Sequence, residues 1–417
     1  MSGANRRKRI CIIAFKPVRS TVHVLRQIDY LARHYDLTVI GHGDPDPVWP
    51  SLTWHSVPEQ DLMSKITKLL WFGCGRFIPS LYGAWFWHAT RHELAYRYAL
   101  SSGANAFHAN DWQSLPIAVE AARLTGARVV FHMHEYAEEE RTNSVLWRLL
   151  VSPAIRYLVR KYTSSQDVPI DASITVCEPI AERYRSELGL RPIVVFNAPR
   201  PPDDPLPVQT PDSRHIRLVH HGYAKRGRGL HALIEALAQT DRRYVLDFML
   251  VNDDAGYIAE LQRLGKRLAP GRVRFRDPVP PEDIVRSIRE YDMGFCVIEP
   301  SSYNNLVMLP NKLFEYLQAG LAVCVGPSPA MAQLVQQYGV GVTTLTFDPK
   351  DVAKSLNDLA WQQLGEMKQA ARRAAAVLNA DVEMAKVVAV YHQLLGGERK
   401  ANGGEEEIEA NARQNQW

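Results

Sequence analysis

LPNKLFEYLQAGLAVCVG, Leu309 to Gly326, holds more structural instruction than any other stretch of the chain. Pro310 suits the first turn of a helix, where its missing N–H would have no partner. Gly320 suits the helix end, where a left-handed residue is wanted. Between them, over Asn311–Ala319, Leu313, Phe314 and Leu317 share a core-facing side, and Glu315 lies one turn in. Leu321–Val325 then reads as a strand. A helix start turned toward a cleft offers unpaired N–H groups and a positive partial charge, which suit a diphosphate. A carboxylate one turn further can accept from the two hydroxyls of a ribose. An ordinary amphipathic helix with a solvated glutamate would carry the same pattern.

Working back from this stretch, LVHHGYAKRGRGLHALIEAL, Leu218 to Leu237, runs from a strand into Gly222, a short basic loop and a helix. Lys225, Arg226 and Arg228 occupy that loop at the carboxyl end of the strand, where cations can meet phosphates, arginine in forked geometry. A solvated basic loop is the plainer reading. No GxGxxG or GxxxxGK[ST] occurs here, so neither a dinucleotide fingerprint nor a P-loop is indicated. Strand-like and helix-like segments alternate from Ile216 to Val325, and a helical region from Asp351 to about Leu395 follows. The same alternation fills the first half, from Arg9 to Val195. Interleaving of this kind implies βαβ crossovers and parallel sheets covered on both faces. NAPRPPDDPLPVQTPDSRH, Asn197 to His215, has six prolines and no apolar period, the composition of a linker. The expected class is α/β, two tandem Rossmann-like doubly wound domains facing a cleft: 1–196, a linker 197–215, 216–395, and a disordered tail 396–417.

Composition agrees with that class. The 417 residues are 46% hydrophobic, enough to bury sizeable cores, and the length suits two to three domains at ~150 residues each. Lys and Arg number 49 against 45 Asp and Glu, a net charge of +4 matched by Arg6, Arg7, Lys8 and Arg9 alone. The rest is balanced and lacks the basic excess that nucleic-acid phosphates call for. Cys11, Cys74, Cys177, Cys296 and Cys324 are scattered, with no zinc spacing, and read as reduced thiols of a cytosolic protein. The basic-then-apolar start ends at Lys16-Pro17 and reads as a first strand, not a secretion signal. No run reaches the ~18–20 apolar residues of a membrane-spanning helix.

Two segments of the first half place polar groups just past apolar strands: FHANDWQSLP (Phe107–Pro116) with His108, Asn110 and Asp111, and VVFHMHEYAEEE (Val129–Glu140) with His132, His134 and Glu135. Such positions can serve sugar hydroxyls or a proton transfer. Asp111 can equally cap the helix expected from Ser114, and no third ligand completes a metal site. From 65 to 98 the chain is rich in aromatics, with Trp71, Phe72, Phe77, Tyr82, Trp85, Phe86 and Trp87 among basic residues. The reading is either a membrane-interface segment near 71–87 or a helix face packed on the first domain.

Together these segments resemble the GT-B glycosyltransferases, specifically the large retaining group called family four, from about Ile10 to about Leu395. Leu309–Val323 is close to the family pattern LPNKLFEYMAAGLPV, HANDWQSLP resembles HAHDWHSLP, and Asp171–Gly189 with Val194–Arg200 resembles the serine/cysteine-Glu helix and the NxP crossover. The resemblance implies transfer of a sugar from a nucleotide-sugar donor to a glycan or lipid-linked acceptor, with retention, in surface polysaccharide or glycoconjugate synthesis. It implies no cofactor beyond the nucleotide-sugar co-substrate, no metal, and a cytoplasmic location, at the inner membrane face if the aromatic stretch touches lipid. Glu315 matches the second Glu of the E-x7-E pattern, expected on the ribose, and the first falls at Val307. Arg228 matches the diphosphate lysine. Tyr223 replaces the other diphosphate cation, for which Lys225 or Arg226 can substitute. Donor-binding candidates are therefore Gly222, Lys225, Arg226, Arg228, Asn311, Lys312 and Glu315. His134 and Asp111 are the catalytic candidates. Lys16, Arg19 and Asn110 are the acceptor-side candidates, Lys16-Pro17-Val18-Arg19 standing where the family has a Gly-Gly loop. A nucleotide-sugar 2-epimerase of the same fold and a non-catalytic glycan-binding relative are the alternatives.

Overall fold

The structure, a computed structural model, describes residues 7–44, 48–49, 52–59, 65–141, 143–202, 204, 212, 214–252 and 254–396. Much of the expected linker, and all of the expected tail beyond Gly396, lie outside the described residues.

The first lobe begins β1 (Arg9–Pro17), α1 (Val22–Leu31), β2 (Asp36–His42), β3 (Thr53–Ser56). Three helices follow: α2 (Lys65–Gly75), α3 (Ser80–His88), α4 (Thr90–Ser101). It continues through β4 (Ala106–Asn110), α5 (Asp111–Thr125), β5 (Arg128–Met133), α6 (Ser152–Thr163), β6 (Ala172–Thr175), α7 (Glu178–Leu188) and β7 (Ile193–Val194). The second lobe opens with β8 (Ile216–Tyr223), α8 (Leu230–Ala238), β9 (Tyr244–Val251), α9 (Ala255–Leu268) and β10 (Val273–Arg276). Next come α10 (Ile284–Ser287), β11 (Met293–Cys296), α11 (Tyr303–Val307), α12 (Asn311–Gln318) and β12 (Ala322–Val325). It ends with α13 (Pro329–Tyr338), β13 (Gly341–Thr343), α14 (Pro349–Asn357), α15 (Trp361–Ala375) and α16 (Ala380–Gly396).

The seven strands of one sheet order as β3-β2-β1-β4-β5-β6-β7, the six of the other as β10-β9-β8-β11-β12-β13, and every ladder is parallel. The expected architecture, two doubly wound parallel sheets, is the one found. β1 shows why: Ile10, Cys11, Ile12 and Ile13 are all fully buried, as a strand covered on both faces requires. Chain order reverses between β1 and β4 and between β8 and β11, so each lobe opens a crevice at those carboxyl ends. Gly294 sets one wall of the second crevice. A Cβ there would fall 2.1 Å from the Tyr316 ring, so only glycine lets α12 lie flat on β11.

The short helix α11 ties the lobes together. Asn304 accepts from the Tyr136 N–H (2.8 Å) and donates to the Tyr136 carbonyl (3.1 Å). Cys177 Sγ donates to the Val307 carbonyl at 3.3 Å. Ser301–Asn305 is thus a capped turn docked on the first lobe, with Ser302 accepting from Asn305 N–H.

Other expectations need correcting. The final helix α16, assigned by sequence to the 216–395 domain, packs on the first lobe, where Met384, Val387 and Tyr391 join Ile10, Ile12 and Val24 in one core. Apolar spacing marks a helix but not the sheet that it covers. Asp111 is the first residue of α5, not a cap before Ser114. In the aromatic stretch Phe72, Tyr82, Trp85 and Phe86 are buried, so those rings are core and cannot meet a membrane.

α16 is fastened by the Tyr391 hydroxyl, 2.7 Å from His108 Nδ1. Tyr391→Phe keeps the packing but strips a buried imidazole of its donor, so urea denaturation should show a loss of about 1–3 kcal/mol with an unchanged m-value.

Candidate active site

On the second lobe, β8 delivers His220, His221 and Gly222 to the crevice. Gly222 has φ 120°, and a Cβ there would sit 3.4 Å from Lys312 Nζ. The positive φ is what calls for glycine here, since a Cβ would meet the lysine only in ordinary contact. His220 Nδ1 donates to the Phe295 carbonyl (2.7 Å), which leaves Nε2 to accept from Lys312 Nζ at 3.1 Å. One of three ammonium donors is used by that bond. Burial pushes the Lys312 pKa down to about 8 despite Cys296 and Glu315. Lys312 stands in the first turn of α12, which no side chain caps, so the helix start adds its own N–H groups to the same spot. Asn311 is exposed beside it, and the left-handed Gly320 (φ 74°) ends the helix region as expected.

Arg228 is half-buried, and its charge is felt at Lys312 and, across the crevice, at Glu135. Arg226 is engaged elsewhere. Its guanidinium pairs with Asp254 (3.0 Å) and Glu260 (2.9 Å) and lies over the Tyr257 ring. In this arrangement the carboxylates around α9 engage Arg226 at the surface, and among the described residues no ion pair joins it to Glu315. Lys225 is exposed, its ammonium 5.5 Å from the Tyr223 ring. Glu315 is 16% exposed, 3.4 Å from His221 Nε2. Burial raises its pKa to about 7, opposed by Lys312 and by Arg26, which reaches toward it from α1 of the other lobe.

The facing wall is a polar nest. Asp111 has φ 60°, the one non-glycine residue with positive φ among the described residues, a conformation that must be held by its contacts. It is held: Asp111 pairs with Lys16 at 2.6 Å and accepts the His134 N–H at 3.1 Å. Asn110 and Gln27 exchange two amide bonds (2.9 and 3.1 Å), so the Asn110 Oδ1 is an acceptor and His134 Nε2 must donate to it at 3.1 Å. The His134 Nδ1 is then unprotonated, buried and unpartnered. Its ring stacks on His132 and lies tilted against His23, centroids 4.2 and 3.7 Å away, and burial holds its pKa well below the ordinary value. A cavity of about 150 Å³ opens here, lined by Lys16, His23, Asp111, Gln113 and Glu140. Asn110 borders it, with its carboxamide already engaged. Arg19 is exposed on the turn after β1.

Sequence reading missed His23, Gln27, Arg26 and Glu140. The first three lie on α1 at ordinary helical spacing, and only the tertiary fold turns them toward the crevice. Burial, then Glu135 and Asp111, push Glu140 up to about 8. Nothing in the run AEEE signals which carboxylate is enclosed. Among the described residues no group of three His, Cys, Asp or Glu is placed to hold a metal ion.

Two facing doubly wound lobes with polar walls at both switch points make the GT-B fold, the fold shared with the solved structures that this chain resembles. No protein-family model and no curated protein sequence matches the chain. A glycosyltransferase from Rickettsia africae superposes with a TM-score of 0.67 at 11% identity, covering 94% of this chain and 100% of that one. Sucrose-phosphate synthase from Thermosynechococcus elongatus gives 0.67 at 17%, over 94% and 100%. Anabaena HepE in complex with UDP gives 0.66 at 14%, over 93% and 100%.

The carboxyl of Glu315 has a folded pKa above its unfolded one, so the native state binds the extra proton between pH 4.5 and about 7. Stability from this group is complete below that window and is lost as pH rises through it. In Glu315→Gln that loss should be absent, so the variant's urea midpoint gains on wild type between those pH values.

Proposed function

We propose that the protein transfers a hexose from a nucleoside diphosphate sugar to a hydroxyl of a glycan or lipid-linked acceptor, with retention of configuration. The observation that carries this reading is the partly desolvated Lys312 at an uncapped helix start, with Arg228 beside it, facing the Asp111–His134 pocket. As the glycosidic bond breaks, negative charge grows on the departing diphosphate. Cations and N–H groups already aimed at that charge stabilise the transition state more than the ground state. Glu315 would accept from the ribose hydroxyls, and the attacking hydroxyl would enter by the cavity beside Lys16 and Glu140, handing its proton to the leaving phosphate. No enzymic base is required on that front-face route.

The neighbours support a nucleotide-sugar donor. HepE structures hold UDP or UDP-glucose, and a trehalose-phosphate synthase of similar fold is described as UDP-forming. WaaG, another neighbour, is involved in lipopolysaccharide biosynthesis, which favours a role in surface polysaccharide or glycoconjugate assembly. Glu140, held protonated to about pH 8 beside Asp111, is the observation that favours a second reading, a nucleotide-sugar 2-epimerase. An epimerase would convert donor with no acceptor present. Among the described residues no helix is long and apolar enough to cross a membrane.

A panel of nucleotide sugars should yield a donor that raises the melting temperature, and free nucleoside diphosphate should appear only when donor and acceptor are both supplied. Arg228→Ala should then lower kcat/KM by about a hundredfold to a thousandfold. Unchanged turnover would remove Arg228 from the mechanism.

A further inference from the structure

Away from the crevice, the corner between α2 and α3 meets the length of α6 and encloses a groove of about 630 Å³. Arg76, Arg156, Arg160 and Lys161 line it with Tyr82 and Tyr157. All four cations are exposed. Arg156 is paired with Glu138 and Arg160 with Glu187, yet the flanking chain is one-sided. Residues 65–92 and 143–166 together hold eight Lys and Arg and no Asp or Glu, in a protein whose charges otherwise nearly balance.

The same two segments expose apolar side chains. Phe77 is 86% exposed and Ile66 72%, with Leu69, Leu70 and Ile78 beside them in sequence. Val145, Leu146 and Leu149 project from the turn entering α6. Arg76 donates to the Leu149 carbonyl at 2.9 Å, which fastens the two sets into one face. Half of the sixteen large hydrophobics exposed among the described residues belong to it. The stretch's rings are largely buried, so aliphatic tips and Phe77 make this surface.

These two segments interleave cations with exposed apolar tips and carry no carboxylate of their own. They match a bilayer boundary, where apolar side chains enter the acyl region and Lys and Arg remain at the phosphates. We propose that this face docks on an anionic phospholipid surface, with Phe77 and its neighbours in the acyl boundary and a lipid phosphate in the Arg76–Lys161 groove. The assignment goes beyond the proposed reaction and stands or falls without it, because docking needs neither donor nor acceptor.

The test mixes the full-length protein, without nucleotide, with vesicles of phosphatidylcholine alone or of phosphatidylcholine with phosphatidylglycerol, and reads the bound fraction by co-flotation. Wild type should bind the anionic vesicles far better than the neutral ones, and less as salt is raised. The double variant Arg160→Gln, Lys161→Gln should lose affinity about thirty-fold, at about five-fold per cation. Phe77→Ser should weaken binding as well, with melting temperature unchanged, and Ile66→Ser gives the same reading should Phe77→Ser unfold. Three results overturn the proposal: equal binding by wild type and variants, capture of inorganic phosphate without vesicle binding, or self-association through this face with no vesicle binding.

Discussion

A lysine ammonium withdrawn from water is costly unless something anionic compensates it, and the architecture of the second lobe follows from that cost. Lys312 is mostly enclosed, with its pKa brought down to about 8. Its hydrogen-bond partner is a neutral imidazole, His220, turned by the Phe295 carbonyl so that a lone pair faces the ammonium. Gly222 supplies the positive φ of the turn beside the lysine, and Gly294 leaves out the side chain that would lift α12 from the sheet. Each feature brings positive charge to one point without neutralising it. A site built this way is under-satisfied when empty, and the proposed diphosphate role rests on that property.

The first lobe supplies the complementary surface by a different device. A left-handed aspartate, a lysine and a backbone N–H lock the start of α5, while Asn110 and Gln27 orient His134. The stacked imidazoles are kept neutral by burial, so they shape and polarise the pocket without adding cations. Charge on this side comes from Lys16 against Asp111 and Glu135, while burial keeps Glu140 protonated up to about pH 8. The docked helix α11 holds the walls opposite one another, and Val307, standing where the family pattern has its first glutamate, is buried at that junction with its carbonyl bonded to Cys177. In this chain the position is spent on joining the lobes.

Local signals in the sequence carried the fold well. The strands Tyr244–Val251 and Arg128–Met133 and the helix Ala255–Leu268 belong to the alternation read from the sequence, because each is framed by polar or turn-forming residues. The helix of the LPNKLFEY segment and the turn at Gly222 were legible for the same reason. What escaped was long-range. Arg226 carries the same charge as Arg228, and only the carboxylates near α9 separate their fates. The spacing of Met384, Val387 and Tyr391 declares a helix but not that it crosses to the first sheet. Gln27 and His23 become site residues only when α1 packs beside β4 and β5. Val18–Arg19 reads as loop, and its 3-10 turn leaves no mark in composition.

The central claim, that Lys312 waits for a diphosphate, is tested most directly by calorimetry of UDP binding in two buffers of different ionisation heat, at a pH just above the Lys312 value of about 8. A diphosphate that settles on the ammonium raises the lysine's proton affinity, so binding must draw a proton from the buffer. The account predicts net proton uptake in wild type and none in Lys312→Met. Binding with no proton uptake in wild type, or the same uptake in both proteins, would contradict it.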